Sequence, residues 1–526
     1  MAESVVLMSD PNGDARLRSY FRAGYPLICI QTAEEQRAEV EIANSVFATG
    51  VGRLRLYVWS ASEGMYDVRT PAAVNANIKD ATAALNHLKT AREAKCVYIF
   101  KDLHPYYIPP VVRLLRDIAR DFKQIQSTLI VLTPVQKIPA ELTRDMVVMD
   151  FDLPNQGQIG SIWNRLHTTY KDKLAGKGLI IGDDEHERIV SAAMGLTSNE
   201  AENAFSKAIV DGIGTGTKVS DLVLKEKALA VKKSGILEYF ETTENLNSIG
   251  GLDVLKKWLQ KRKRALTKKA REFGLPVPKG ILLTGIPGSG KSLSAKAASS
   301  IMEVPLIRFD IARVFAGLVG QSEENMRNAL QTIDAMGPCV LWIDEMEKAF
   351  AGAGGSGSND GGVTRRIFGN FLTWMQEKTT PSFIVATTNS IAGIPPEMLR
   401  RGRFDENFFV GLPNDAERAA IFAIHLSKRK RAPEKYDIAG LVGRSRGFTG
   451  AELEYAVIDG MFTAFDKDRE LATQDIVQGI ESTNPVSKAF ADQLKEMINW
   501  AENNAVNASL PGQGNVEGQG GRALSL

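Results

Sequence analysis

The sequence predicts an α/β fold in which helices cover both faces of parallel sheets, and three observations lead there. Short β-branched and apolar runs alternate along the chain with stretches of amphipathic helical spacing. The clearest runs are Gly280–Thr284, Pro305–Phe309, Cys339–Ile343, Phe383–Ala386 and Phe408–Val410. They are apolar on both sides, as strands covered on both faces must be. Each run gives way to a polar or glycine-rich turn, which places functional groups at the carboxyl ends of the strands.

The 526 residues are enough for three or four structural units, and 44% hydrophobic against 24% charged residues is ordinary for packed cores. Lys and Arg number 64 against 62 Asp and Glu, so the whole surface is not a polyanion trap, although a local basic patch is allowed. Cys29, Cys96 and Cys339 form no CxxC pair, which argues against a disulfide framework or a cysteine zinc site. The N-terminus lacks a basic segment followed by an apolar one, and no apolar run approaches the roughly 18 residues that span a bilayer. The expectation is a soluble, cytoplasmic protein in a reducing compartment, with no membrane association.

Composition shifts divide the chain. Gly212–Thr217 introduces a charged helical stretch, Lys218–Phe240; Gly352–Gly362 reads as a flexible loop inside a structured region; the Gly/Asn-rich tail has almost nothing to bury. The boundaries expected are 1–212, a linker 213–243, 244–425, 426–502 and a disordered tail from 503 to 526.

The run Gly280–Thr284 leads into Gly285-Ile-Pro-Gly-Ser-Gly290-Lys291-Ser292, followed by a helix-compatible stretch. Glycines there let successive N–H groups converge on phosphate oxygens at a helix N-terminus. Lys291 then reaches the β and γ phosphates, and the Ser292 hydroxyl holds magnesium. Cys339–Ile343 ends in Asp344 and Glu345: the first suits a magnesium-bound water, the second can orient and deprotonate the attacking water. Thr387-Thr388-Asn389 puts an amide at the same height. Arg400 and Arg403 are either a surface cluster or fingers that complete a neighbour's site.

Taken together, GIPGSGKS, CVLWIDE, ATTN and LRRGRFD, in that order, resemble the AAA ATPase family over roughly residues 244–500. The resemblance implies a P-loop AAA-type sheet with a helical lid. It implies ATP and Mg²⁺ as ligands, and a homo-oligomeric, hexameric ring in which Arg400 and Arg403 act across the interface. The phosphates fall to Gly285, Pro287, Gly288, Ser289, Gly290, Lys291 and Ser292, and the metal to Ser292 and Asp344. Glu345, Asn389, Arg400 and Arg403 are the catalytic set. Ile249 and Gly250 match the adenine contact, His425 a position beside the sugar and base, and Gly450 and Ala451 the lid turn. The segments GPCVLWIDEMEKAF, FLTWMQEK and RRGRFDENFFVGLPN are similar to the chloroplast and cyanobacterial open-reading-frame AAA proteins, which also carry a long N-terminal region.

The first half echoes the second. Lys137-Ile-Pro-Ala-Glu-Leu, Asp152-Leu-Pro-Asn155 and Gly195-Leu-Thr-Ser-Asn-Glu200 parallel Gly393-Ile-Pro-Pro-Glu-Met, Gly411-Leu-Pro-Asn414 and Gly447-Phe-Thr-Gly-Ala-Glu452. Cys96–Phe100 matches Cys339–Ile343, but Lys101 stands in place of Asp344. Pro26–Ile30 leads into Gln31-Thr-Ala-Glu-Glu35, without the glycines or the lysine. The first half therefore reads as a degenerate AAA-like module with a lid and no phosphate loop.

Three functions follow: a remodeller of protein partners, an ATP-switched scaffold, and a nucleic-acid motor. The last rests on nine basic residues between Lys256 and Arg271, which also suit a solvated helical face. Leu318 takes the pore-loop position where threading AAA rings show an aromatic residue. His186-Glu187 lacks the second histidine of a zinc peptidase, because Val190 stands there.

Overall fold

Leu27–Gln31, Cys96–Lys101 and Thr128–Thr133 are buried along nearly their whole length, which is possible only inside a sheet covered on both faces. The coordinates are those of a computed structural model. It describes residues 11–48, 55–69, 73–75, 78–135, 137–233, 235–240, 249–266, 270, 272–314, 321–350, 361–378, 380–400 and 402–510. The chain divides into two compact units, Met1–Glu226 and Lys227–Leu526.

The first unit holds strands β1 (Leu27–Gln31), β2 (Arg55–Ser60), β3 (Gly64–Asp67), β4 (Ala73–Asn75), β5 (Cys96–Lys101), β6 (Thr128–Thr133) and β7 (Met146–Asp150). They form one sheet ordered β4-β3-β2-β5-β6-β1-β7, parallel from β2 to β7, with β3 and β4 added antiparallel at one edge. Alternation along β1 divides the core: Leu27 and Cys29 pack on one face, Ile28 and Ile30 on the other. Helices Gln156–Ala175, Asp183–Ala193 and Ser198–Thr215 follow.

The second unit holds β8 (Leu237–Phe240), β9 (Gly280–Thr284), β10 (Leu306–Phe309), β11 (Cys339–Ile343), β12 (Ser382–Thr388), β13 (Glu406–Phe409) and β14 (Val506–Asn507). Their order is β14-β13-β9-β12-β11-β10-β8, and only β8 runs antiparallel to its neighbour. The parallel core β2-β5-β6-β1-β7 thus recurs as β10-β11-β12-β9-β13. The repeat extends to its details. Asn155 with Gln158, and Asn414 with Glu417, close capping boxes at corresponding helix starts; so do Thr197 with Glu200, and Thr449 with Glu452. Asp102 and Glu345 each follow their strand in a left-handed conformation, at φ 50° and 49°. Both units are mostly parallel α/β sheets with helices on both faces.

Two boundaries differ from expectation. The charged stretch after Gly212 is no linker: helix Ser198–Thr215 runs through the glycines, helix Val219–Lys233 follows, and Leu237–Phe240 becomes the edge strand β8, because Leu237 is buried against β10. The tail does not begin at Asn503. Helix Ala491–Asn504 continues through it, and the next residues form β14, with Val506 and Ala508 buried. The Gly352–Gly362 loop up to residue 360, and the pore position Leu318, lie outside the described residues.

In the first unit β1 hands over to helix Glu35–Ala48, as β9 does to helix Lys291–Met302. Where the second unit has glycines, the first has Glu34 and Arg37, only 5% and 3% exposed. Arg37 donates to Glu34 Oε2, to Glu41 Oε1 at 3.0 Å and to the Asp152 carbonyl. Glu34 Oε1 accepts the backbone N–H of Ser198 at the start of the following helical bundle, and Gln158 Nε2 donates to Glu41 at 2.9 Å. Lys101 is paired with Glu35, at 2.9 Å, and with Glu39. The first site is filled by the chain's own charges.

Removing one member of such a buried pair leaves an uncompensated charge, at a cost of about 3–5 kcal/mol. Glu34→Ala is therefore expected to destabilise the first unit by that amount, read from hydrogen exchange of the β1 and β6 amides. The double replacement Glu34→Leu with Arg37→Met should cost clearly less. A change below about 0.5 kcal/mol in Glu34→Ala would contradict the assignment.

Candidate active site

A cleft of about 570 Å³ opens where β9, β11 and β12 end. Gly288 and Gly290 take left-handed conformations, φ 80° and 102°, and Gly290 caps the helix that Lys291 begins. These are the conformations that turn consecutive N–H groups toward one point. Gly285 is required for a different reason: a Cβ there would stand 2.4 Å from the Val410 carbonyl oxygen of the neighbouring strand end. Lys291 is buried, and its Nζ donates to the carbonyls of Gly285 and Ile286 at 2.7 and 2.8 Å. Burial pulls its pKa down to about 8, against the opposing pull of the nearby Glu347, Asp344 and Glu345 carboxylates. Ser289 Oγ is buried without a partner, a hydroxyl facing no protein acceptor within the loop.

The carboxylates sit at the end of β11. Ser292 Oγ lies 3.5 Å from Asp344 Oδ1, and the Thr387 hydroxyl donates to the same Asp344 oxygen at 2.6 Å while accepting the Glu345 N–H. The strained backbone of Glu345 turns its side chain into the cleft. Its Oε1 is 3.4 Å from Asn389 Nδ2, and its Oε2 pairs with Lys348 at 2.7 Å. A hydroxyl and one carboxylate beside a phosphate loop are a donor set that suits magnesium, which keeps waters and takes its other ligands from phosphate.

At the other end, Ile249 and Gly250 face Ile421, against which a Cβ on Gly250 would come to 2.8 Å. The Ala451 N–H donates to the Gly288 carbonyl at 3.2 Å, so the turn at Gly450 closes directly over the loop. His425 lines the cleft with Nδ1 3.3 Å from Glu454, and burial holds its pKa below the usual histidine value.

The structure therefore brings together Ile249, Gly250, Pro287, Gly288, Ser289, Gly290, Lys291, Ser292, Asp344, Glu345, Asn389, His425, Gly450 and Ala451 around one cleft, with Gly285 supporting it from behind. Arg400 and Arg403 are not part of that lining. Arg400 is exposed beside a second cavity of about 650 Å³, and Arg403 donates to its own Leu372 carbonyl at 2.7 Å. Sequence reasoning passed over Glu417 and Ser509. Glu417 accepts the N–H groups of Leu252 and Asn414, tying the base end together, and its capping-box spacing was a readable signal. Ser509 enters the lining from the C-terminal strand and left no signal.

Comparison with known proteins decides the family. Residues 281–412 match the model of the ATPase family associated with various cellular activities (AAA). Residues 14–151 and 158–234 match the N-terminal and second domains of SpoVK-like AAA ATPases. The chain belongs to the SpoVK-like AAA ATPases. Proteins named "Uncharacterized AAA domain-containing protein ycf46" are similar to it along most of their length. That of Guillardia theta is 35% identical over 91% of this chain and 93% of its own, and that of Pyropia yezoensis 36% identical over 94% and 99%. That of Trieres chinensis is 33% identical over 92% and 96%. Membership implies nucleotide binding in general. It also shows that the half without the loop belongs to the family architecture.

Because Gly285 has a backbone carbonyl where a methyl would go, Gly285→Ala must push β13 away. The expected loss is about 1–3 kcal/mol in the stability of the second unit, together with weaker nucleotide binding. An unchanged melting temperature with unchanged nucleotide affinity would contradict the packing described.

Proposed function

We propose that the protein hydrolyses ATP within a homo-oligomeric ring and uses the cycle to remodel protein partners. The observation that carries the hydrolysis is the pairing of Glu345 with Asn389, 3.4 Å apart, across the cleft from the loop that begins at Gly285. A carboxylate and an amide so placed can hold one water between them, the first taking its proton and the second fixing its lone pair. Loop amides and Lys291 hold the phosphate chain. Ser292 and Asp344 would hold magnesium, which when bound draws off phosphate charge.

Assembly is supported by two separated apolar patches on the second unit. Phe273 and Leu275 are exposed on one segment, and Phe462 and Phe465 on helix Gly450–Asp466. Different patches that seek cover favour head-to-tail contacts, which close into rings. Arg400, exposed and outside its own cleft, then has a neighbour's cleft to serve. Nucleic acid finds less support: Trp258 and Leu259 are core residues, and Lys256 and Lys263 are engaged with the Ile249 carbonyl and Glu303.

A second reading has one observation behind it. Lys348 ties Glu345 Oε2 in an ion pair, which competes with a water's proton for the carboxylate. An ATP-switched scaffold with slow basal turnover fits that arrangement.

Glu345→Gln is expected to retain ATP while stopping turnover, since Glu345 acts on the water only in the transition state. Wild-type hydrolysis by that variant would remove it from its role. Arg403→Ala should lower turnover by about 10³-fold or more, and mixing with Lys291→Ala chains, which still carry both arginines, should restore part of it. Full activity in a monomer would contradict action between chains. Stimulation by protein supports remodelling; slow turnover with nucleotide-dependent capture of a partner supports the scaffold.

A further inference from the structure

Helix Ala491–Asn504 lies directly behind the active site. Leu494, Met497 and Ala501 pack with Phe409, Leu412 and Ile286, and Ile286 is part of the phosphate loop itself. Immediately before Leu494, in the first turn of the helix, Gln493 Nε2 donates to the Asn389 carbonyl at 2.7 Å. The N–H of Asn389 donates in the opposite direction, to Glu347 Oε1 at 3.1 Å, and Glu347 is 9% exposed. The residue is thus held by both of its backbone polar groups, from two different elements. What that hold governs is the side chain, whose Nδ2 stands 3.4 Å from Glu345 Oε1. Such a separation is at the long limit of hydrogen bonding, where a few tenths of an ångström decide whether the contact exists.

The helix is itself fixed beyond this point. It runs into β14, which pairs with β13, while the Ala508 carbonyl accepts the Leu255 N–H at 3.1 Å and Leu510 accepts from Asn414. We propose that this C-terminal helix is a positioning element of the ATPase, in which Gln493 holds Asn389 so that its amide and Glu345 orient the attacking water together. Gln493 does not reach the cleft, so its effect passes through Asn389. The inference rests on the hydrolytic reading above.

A side chain that positions a transition-state contact changes kcat with little change in KM. Gln493→Ala should lower kcat by about tenfold with KM within about twofold, since small displacements of oriented groups have effects of that size or larger. Gln493→Glu keeps the size but has no N–H to donate, and should lose as much. Gln493→Lys again donates to the carbonyl and should keep most of the turnover. Lys495→Ala, on the exposed side of the helix, should match the wild type, and thermal unfolding of all four should coincide with it.

Wild-type kcat in both Gln493→Ala and Gln493→Glu would overturn the proposal, as would losses matched by an equal rise in KM. Glu345→Gln in the same assay separates the two levels. If it stops turnover while the Gln493 variants match wild type, the positioning role alone fails; if it hydrolyses normally, the reading beneath it fails.

Discussion

Where one parallel strand of each sheet passes into a helix, the unsatisfied N–H groups and the positive end of the helix dipole favour a negative charge. The fold makes this crossing twice, after β1 and after β9. After β9 the chain offers glycines and a buried lysine, and its carboxylates, Asp344 and Glu345, come from the end of β11 and leave a cleft beside the loop. After β1 it offers Glu34, whose carboxylate is taken up by Arg37 and by the Ser198 N–H of a later helix. One fold, given two answers to the same electrostatic requirement, yields one open site and one closed one.

The rest of the second unit is arranged around the open answer. Lys291 lines the cleft, held by two loop carbonyls and depressed by burial to a pKa of about 8. Thr387 bridges Asp344 and the Glu345 backbone, so one hydroxyl links the two carboxylate-bearing residues. The turn at Gly450 and the C-terminal helix close on the loop from opposite directions, through Ala451 and Ile286. The first unit keeps the matching helix starts, and its polar groups at the same place pair with one another.

The phosphate loop, both carboxylates and the duplicated sheet were legible in the sequence, because each is encoded locally. Glycine at 288 and 290 announces backbone that other residues avoid, and Leu-Pro-Asn or Thr-x-x-Glu announces a capped helix in either half. Elements that exist only through partners were not legible. β8 and β14 have four and two residues and become strands because β10 and β13 offer open edges. Arg37 lies at helical spacing from Glu34, but nothing there shows that the carboxylate is buried, since Ser198 meets it only in three dimensions. Gln493 and Ser509 belong to the same class: their importance lies in what they touch.

The central claim is that one of the two crossings is open to nucleotide and the other closed. Equilibrium binding of ATP with magnesium to the full chain, counted per chain, tests it most directly. The account predicts one site in the wild type and none in Lys291→Ala, with Glu34→Gln leaving the count at one. Two sites in the wild type, or a strong magnesium-dependent site surviving in Lys291→Ala, would contradict it.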